Sequence, residues 1–157
     1  MKQSRNLTLG LAAPADAAPI AAMSRELIEA GLPWSWTPER VARNLARHDM
    51  LVLTARDGAR LAGFAIMQFD EERAHLALFA VRPDCRRQGV GRRMLEWLTA
   101  SALTAGIVNI RLELRETNLG ARRFYLGQGF AEIVRIPGYY RGVETAVRML
   151  RDIRVKT

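Results

Sequence analysis

Ile110, Leu112 and Leu114 alternate with Asn109, Arg111 and Glu113, the two-residue period of a strand with one face buried. Leu7, Leu9 and Leu11 alternate in the same way with Thr8 and Gly10. Apolar-rich stretches at 50–55, 61–69 and 75–81 read as a meander, turned by Asp57-Gly58 and by Asp70-Glu71-Glu72. Stretches 130–136 and 144–150 read as two more strands, with Pro137-Gly138-Tyr139-Tyr140-Arg141-Gly142 between them.

The period lengthens to that of a helix in four places. Pro14 and Asp16 open the first, with Ile20, Met23, Leu27 and Ile28 on one face to about Ala30, where Gly31 stops it. Thr37 and Pro38 are an N-cap followed by proline at the first helical position, and predict a helix to about Arg47. Met94, Leu95, Leu98 and Ala102 mark a long helix to about Ala105, ended by Gly106. Asn118 caps a short one carrying Phe124 and Tyr125 and ending at Gly127 or Gly129. The order β-α-α-β-β-β-α-β-α-β-β predicts an α/β (α+β) fold. A mixed, mostly antiparallel sheet of about seven strands carries four helices on its faces, in one domain spanning 1–157.

Composition narrows the setting. A hydrophobic content of 49% in 157 residues supports a real core, and no apolar run approaches the ~20 residues of a membrane span. Cys85 is alone, so no intrachain disulfide forms and a cytoplasmic location is expected. His48 and His75 are the only histidines, and with one cysteine they suggest no metal site. The formal charge is +8, and Lys2 and Lys156 are the only lysines among the 24 basic residues. Arginine suits phosphate recognition, but these are spread along the chain, which argues against nucleic acid as the primary partner.

The arginines gather in one place. Arg86, Arg87, Arg92 and Arg93 surround Gln88-Gly89-Val90-Gly91, between the strand at 75–81 and the long helix. A helix start offers unpaired N–H groups and the positive end of the backbone dipole, and glycine admits a ligand close to the chain. The stretch reads as a pocket for a phosphate ester. It is not a P-loop, which needs a lysine. Nor is it a dinucleotide fingerprint, since Met94 stands at the third glycine and residues 82–88 separate the glycines from the strand.

What remains is R-x-x-G-x-G, Arg86 to Gly91, preceded by Ala80-Val81-Arg82-Pro83. This resembles the pyrophosphate loop of the GNAT superfamily of N-acetyltransferases. Asn118, Ala121, Phe124-Tyr125 and Gly129-Phe130 reproduce that family's N-x-x-A-x-x-F-Y-x-x-x-G-F pattern, and the resemblance covers nearly the whole chain. Tyr139-Tyr140, with Ala146 and Met149, is similar to the protein N-terminal acetyltransferase branch, and within it to bacterial enzymes that acetylate a ribosomal protein's N-terminal alanine. That branch's Gly-Glu-Asp-Ala is replaced here by Val143-Glu144-Thr145-Ala146.

The resemblance implies an acetyl-CoA-dependent N-acetyltransferase working by direct transfer, with no metal. Phe79, Ala80 and Val81 are expected to hold the pantetheine arm through their main chain, and a strand N–H there to face the acetyl oxygen. Arg86, Arg87, Gln88, Gly89, Val90, Gly91 and Arg92 are expected around the pyrophosphate. Asn118 is expected to touch CoA or only to cap its helix. Glu113 is the candidate base for the acceptor ammonium, and Tyr125 the candidate proton donor to the CoA sulfur. Trp34, Trp36, Tyr139 and Tyr140 are candidates for the acceptor groove, with lid packing the alternative for the tryptophans. Cys85 could support an acetyl-cysteine route if the arginines activated it, but no histidine is placed beside it, and it reads as a turn thiol. The acceptor is expected to be a protein N-terminal α-amine. A small-molecule amine and a non-catalytic acyl-CoA-binding or basic interaction module remain open.

Overall fold

The computed structural model describes residues 6–154, which leaves Lys2 and Lys156 outside it. Strand β1, Leu7–Leu11, leads through a 3-10 turn at Pro14–Asp16 into α1, Ala17–Leu27. Helix α2, Pro38–Leu45, follows, with the Thr37 hydroxyl accepting from the Arg40 amide at 3.3 Å. Strands β2, Met50–Asp57, β3, Arg60–Phe69, and β4, Arg73–Val81, form the expected meander. Helix α3, Val90–Thr104, crosses to β5, Asn109–Arg115, and α4 occupies Leu119–Gly127. Strands β6, Ala131–Tyr140, and β7, Glu144–Asp152, end the described chain.

All seven strands share one sheet in the order β1-β2-β3-β4-β5-β7-β6. Only the β4–β5 pair is parallel, since α3 carries the chain back across the sheet between them. One face packs on α3 through Met94, Leu95, Leu98 and Ala102, against Leu53, Met67, Ile110, Leu112 and Met149. The other packs on α1 and α2, where Ile20, Met23 and Val41 meet Val52, Phe64, Ile66 and Leu78. Gly63 lets these layers close: a Cβ there would stand 2.7 Å from the Ala80 carbonyl oxygen and 3.0 Å from the Met94 sulfur.

The sheet is parted in its middle. β4 pairs with β5 only from Arg73 to His75, against Asn109 to Arg111. β5 is held along its whole length by β7 on its other edge, so beyond His75 it follows β7 away from β4. A bulge in β4 at Ala77 accompanies the parting, for β3 pairs Met67 with Leu76 and Ile66 with Leu78. The β5-facing edge of β4 therefore carries unpaired main-chain groups into an open cleft.

Two expectations are corrected at element ends. The first helix stops at Leu27 rather than near Ala30, because the chain turns there to bury Glu29, whose carboxylate accepts from Ser24 Oγ at 2.8 Å and the Ser35 amide at 2.7 Å. Tyr139 and Tyr140, expected between strands, lie on β6, which runs past an irregularity after Ile136. The reversal falls instead on Arg141 and Gly142, with φ of 55° and 73°.

Candidate active site

The cleft between β4 and β5 widens into a groove of about 1260 Å³, lined by β4 from His75 to Val81 and by Leu112 to Arg115 of β5. This exceeds the ~300–1,000 Å³ typical of a small-ligand site and leaves room for two reactants. The Gly turn lies at one end, Tyr139 and Tyr140 line the groove, and Tyr125 and Asn118 line its α4 side.

The turn is built to present amides. Arg87 and Gly89 take positive φ, 61° and 79°, between neighbours of ordinary conformation, which curls the chain ahead of α3 in the alternating way that can gather N–H groups for an anion. Arg86 is tied back to the strand through Nε to the Val81 carbonyl at 3.1 Å. Gly91 serves packing, for a Cβ there would meet the Phe124 ring at 3.2 Å. Arg86, Arg87, Gly89, Val90, Gly91 and Arg92 all line the groove. Gln88 does not, and its side-chain amide turns back to the Asp84 carbonyl at 3.2 Å.

Across the cleft, Glu113 sits at the centre of a cluster of cations. Its Oε1 meets His75 Nε2 at 2.7 Å and its Oε2 accepts from Arg148 Nε at 2.7 Å. Arg111 Nε approaches Oε2 at 3.4 Å as an ion pair without a hydrogen bond, and burial followed by the Glu113 charge pushes the Tyr139 phenol up. Burial alone pushes the Glu113 carboxyl up, but the hydrogen bonds from His75 and Arg148 and the charge around them outweigh it and hold it at about 2. The side chain is only 5% exposed. Glu113 is therefore a fixed negative charge with little appetite for a proton.

Tyr125 is buried, its ring set edge-on to Phe79 at 6.0 Å, Phe124 at 5.2 Å and Phe130 at 5.4 Å. Burial pushes its phenol up, so it keeps its proton. Asn118 caps α4, with Oδ1 accepting from the Ala121 amide at 3.1 Å. Trp36 lines the groove with Arg40 stacked 3.8 Å over its ring. Trp34 is corrected: it does not line the groove, because its Nε1 donates to the Ala21 carbonyl at 3.3 Å and holds the ring on α1. Cys85 is buried in the turn, and burial followed by the Asp84 hydrogen bond pushes its thiol up, which makes it a poor nucleophile.

Residues 21–130 match the model of the Acetyltransferase (GNAT) family. The chain belongs to the GNAT family. A curated relative, the [ribosomal protein bS18]-alanine N-acetyltransferase of Salmonella typhimurium, is 41% identical over 110 residues, 68% of this chain and 73% of that one. The crystal structure of the ribosomal-protein-S18-alanine N-acetyltransferase from Escherichia coli shares 31% identity with a TM-score of 0.79, covering 96% of each chain. An N-acetyltransferase from Thermoplasma acidophilum, solved in complex with coenzyme A, shares the fold at 19% identity and a TM-score of 0.78, over 94% of this chain and 99% of that one. The enzyme is thus an N-acetyltransferase with the sheet and helices its sequence predicts.

Two members of this GNAT site escaped sequence reasoning. His75 and Arg148 meet Glu113 only because β4, β5 and β7 are neighbours in register, with His75 opposite Arg111 and Glu113 opposite Arg148. The available signal was phase: Arg148 lies between the buried Val147 and Met149, and His75 between the buried Ala74 and Leu76. The wider arginine excess is partly spent in pairing, as with Arg60 and Asp84 at 2.8 Å and Arg122 and Glu132 at 2.8 Å.

Proposed function

We propose that this chain transfers acetyl from acetyl-CoA directly to a protein N-terminal α-amine. The observation that carries the reading is one continuous groove with a curl of backbone amides at one end and, at the other, the Glu113 carboxylate beside Tyr139 and Tyr140. The relatives named for acetylating a ribosomal protein's N-terminal alanine support that acceptor class. Tyr139 is 44% exposed on the groove wall, which suits a peptide better than an enclosed small amine. We place the reaction in the cytoplasm; no helix of the described residues is long and apolar enough to cross a membrane.

Acetyl-CoA supplies the acetyl group as an activated thioester. The curl from Arg86 to Arg92 holds its pyrophosphate, and the free edge of β4 at Phe79, Ala80 and Val81 holds the amide-bearing arm, as an added strand would. An unpaired β4 N–H beside the parting faces the acetyl oxygen, where negative charge develops. The acceptor ammonium gives up its proton at the Glu113–His75 pair, which lines the groove. Tyr125 gives its phenolic proton to the departing sulfur. The deciding assay is acetyl-CoA turnover over N-terminal peptides and a panel of small amines. Preference for an N-terminal alanine peptide supports the reading. Turnover of small amines alone replaces it with a small-molecule acetyltransferase, and CoA binding with no turnover replaces it with a binding module.

Gly89→Val should weaken acetyl-CoA binding by at least ~10-fold, ~1.4 kcal/mol, measured calorimetrically. Gly89 holds φ of 79° at the N-cap of α3, a conformation a β-branched residue adopts only under strain, so the amide curl must open. Unchanged affinity would place the phosphates elsewhere. Cys85→Ala should leave turnover within a few-fold, and acetyl-CoA without acceptor should leave the protein mass unchanged. An added acetyl on Cys85, discharged by amine, would replace direct transfer with a two-step route.

A further inference from the structure

We propose that His75, backed by Glu113, takes the proton from the acceptor ammonium, so that Glu113 positions and neutralises the ring instead of acting as the base itself. The inference rests on the N-acetyltransferase reading of the groove and assigns a further catalytic residue within it.

Geometry separates the two side chains. Both oxygens of the Glu113 carboxylate are engaged, Oε1 by His75 and Oε2 by Arg148, and the group is almost fully covered. His75 is 30% exposed and lines the groove, and its ring also borders a shallower depression beside α2. With Nε2 fixed on Glu113, the Nδ1 lone pair is what remains to accept a proton. The arrangement of carboxylate, imidazole and a nucleophile in front is the one that orients a histidine base and balances its charge. The Glu113 pKa, held at about 2, agrees, since such a carboxylate holds a proton too weakly to compete with an amine.

In the resting state Nε2 carries the hydrogen and donates it to Glu113 Oε1. An N–H bond of the ammonium breaks, an Nδ1–H bond forms, and the positive charge passes from amine to imidazolium beside the carboxylate. The freed lone pair is the nucleophile, and the proton leaves through the exposed face of the ring to water. The charged and titratable groups around the ring are Glu113 and Arg111 from β5 and Arg148 from β7 through Glu113, while Arg40 and Arg43 of α2 and the Asp49-paired Arg47 that follows it line the depression His75 borders. Gln68 of β3, opposite His75, is bonded to Asp49. Glu113 is the carboxylate in contact with the ring, which is why the pair acts as a unit.

The test is kcat/KM against pH for a peptide with a free N-terminal alanine, at saturating acetyl-CoA, in wild type, His75→Gln, Glu113→Gln and the double variant. His75→Gln should lose about 100-fold near neutrality, with the deficit shrinking as pH rises and the amine deprotonates by itself. The double variant should be no slower than the slower single one, because both changes break one relay. Imidazole added to His75→Ala should restore part of the rate, a gain that a merely structural histidine does not give. His75→Gln within ~3-fold of wild type with an unshifted profile, or no gain with imidazole while acetyl-CoA still binds, overturns the inference and leaves the N-acetyltransferase reading standing. A wild-type enzyme inert towards every amine overturns both.

Discussion

Glu113→Gln should lower kcat by at least ~100-fold and, at pH 7, cost the fold about 2 kcal/mol, while acetyl-CoA affinity stays near wild type. The change keeps the shape of the side chain but removes the one negative charge among His75, Arg111 and Arg148. The folded carboxyl lies at about 2 against an ordinary 4.5, a depressed value. A depressed carboxylate stabilises the fold fully above its unfolded value and loses that contribution as pH falls towards the folded one. The difference corresponds to about 3 kcal/mol unscreened, and the water in the open groove reduces it to about 2. Urea titrations at pH 7 and pH 3 read this directly. The gap between wild type and variant should be wide at pH 7 and roughly halved at pH 3, closing further towards pH 2. An equal gap at both would show that Glu113 contributes through its shape and not its charge.

The sheet's strands and most helix ends were legible because each is a local matter. Thr37-Pro38 and Asn118 are caps whose side chains do what their chemistry predicts, and the alternation at Ile110, Leu112 and Leu114 puts those residues in the α3 core. The glycine turn that lines the groove was legible for a related reason, since a strand, a turn and a helix start are contiguous in sequence. The cluster around Glu113 is assembled from distant strands. Arg148 reaches Glu113 across 35 positions and His75 across 38, and no window of sequence contains them together.

The two tryptophans make the same point on a smaller scale. They stand two residues apart in one loop, yet Trp36 lines the groove under Arg40 and Trp34 is bonded to α1. What separates them is Glu29. Its carboxylate takes the Ser35 and Trp36 amides and so fixes which ring faces inward. That bond joins α1 to the loop and has no pattern in the sequence to announce it.

Tyr125→Phe should lower kcat by ~100-fold or more, and raising the pH should not recover it. The substitution deletes one hydroxyl and keeps the ring that packs on Phe79, Phe124 and Phe130, so stability and acetyl-CoA affinity should hold near wild type. The phenol's value is driven upward by burial, which keeps the proton in place for donation across the whole assayable range. Its proposed partner in the reaction is the sulfur, whose need for a proton does not diminish as the acceptor amine becomes free. The pH response therefore separates the two ends of the site. Loss of Glu113 or His75 should be repaired by alkali because the amine then sheds its own proton, whereas loss of the Tyr125 hydroxyl should persist at every pH. A Tyr125→Phe deficit that closes as pH rises would move Tyr125 to the acceptor side of the chemistry and leave the departing thiolate to draw its proton from water.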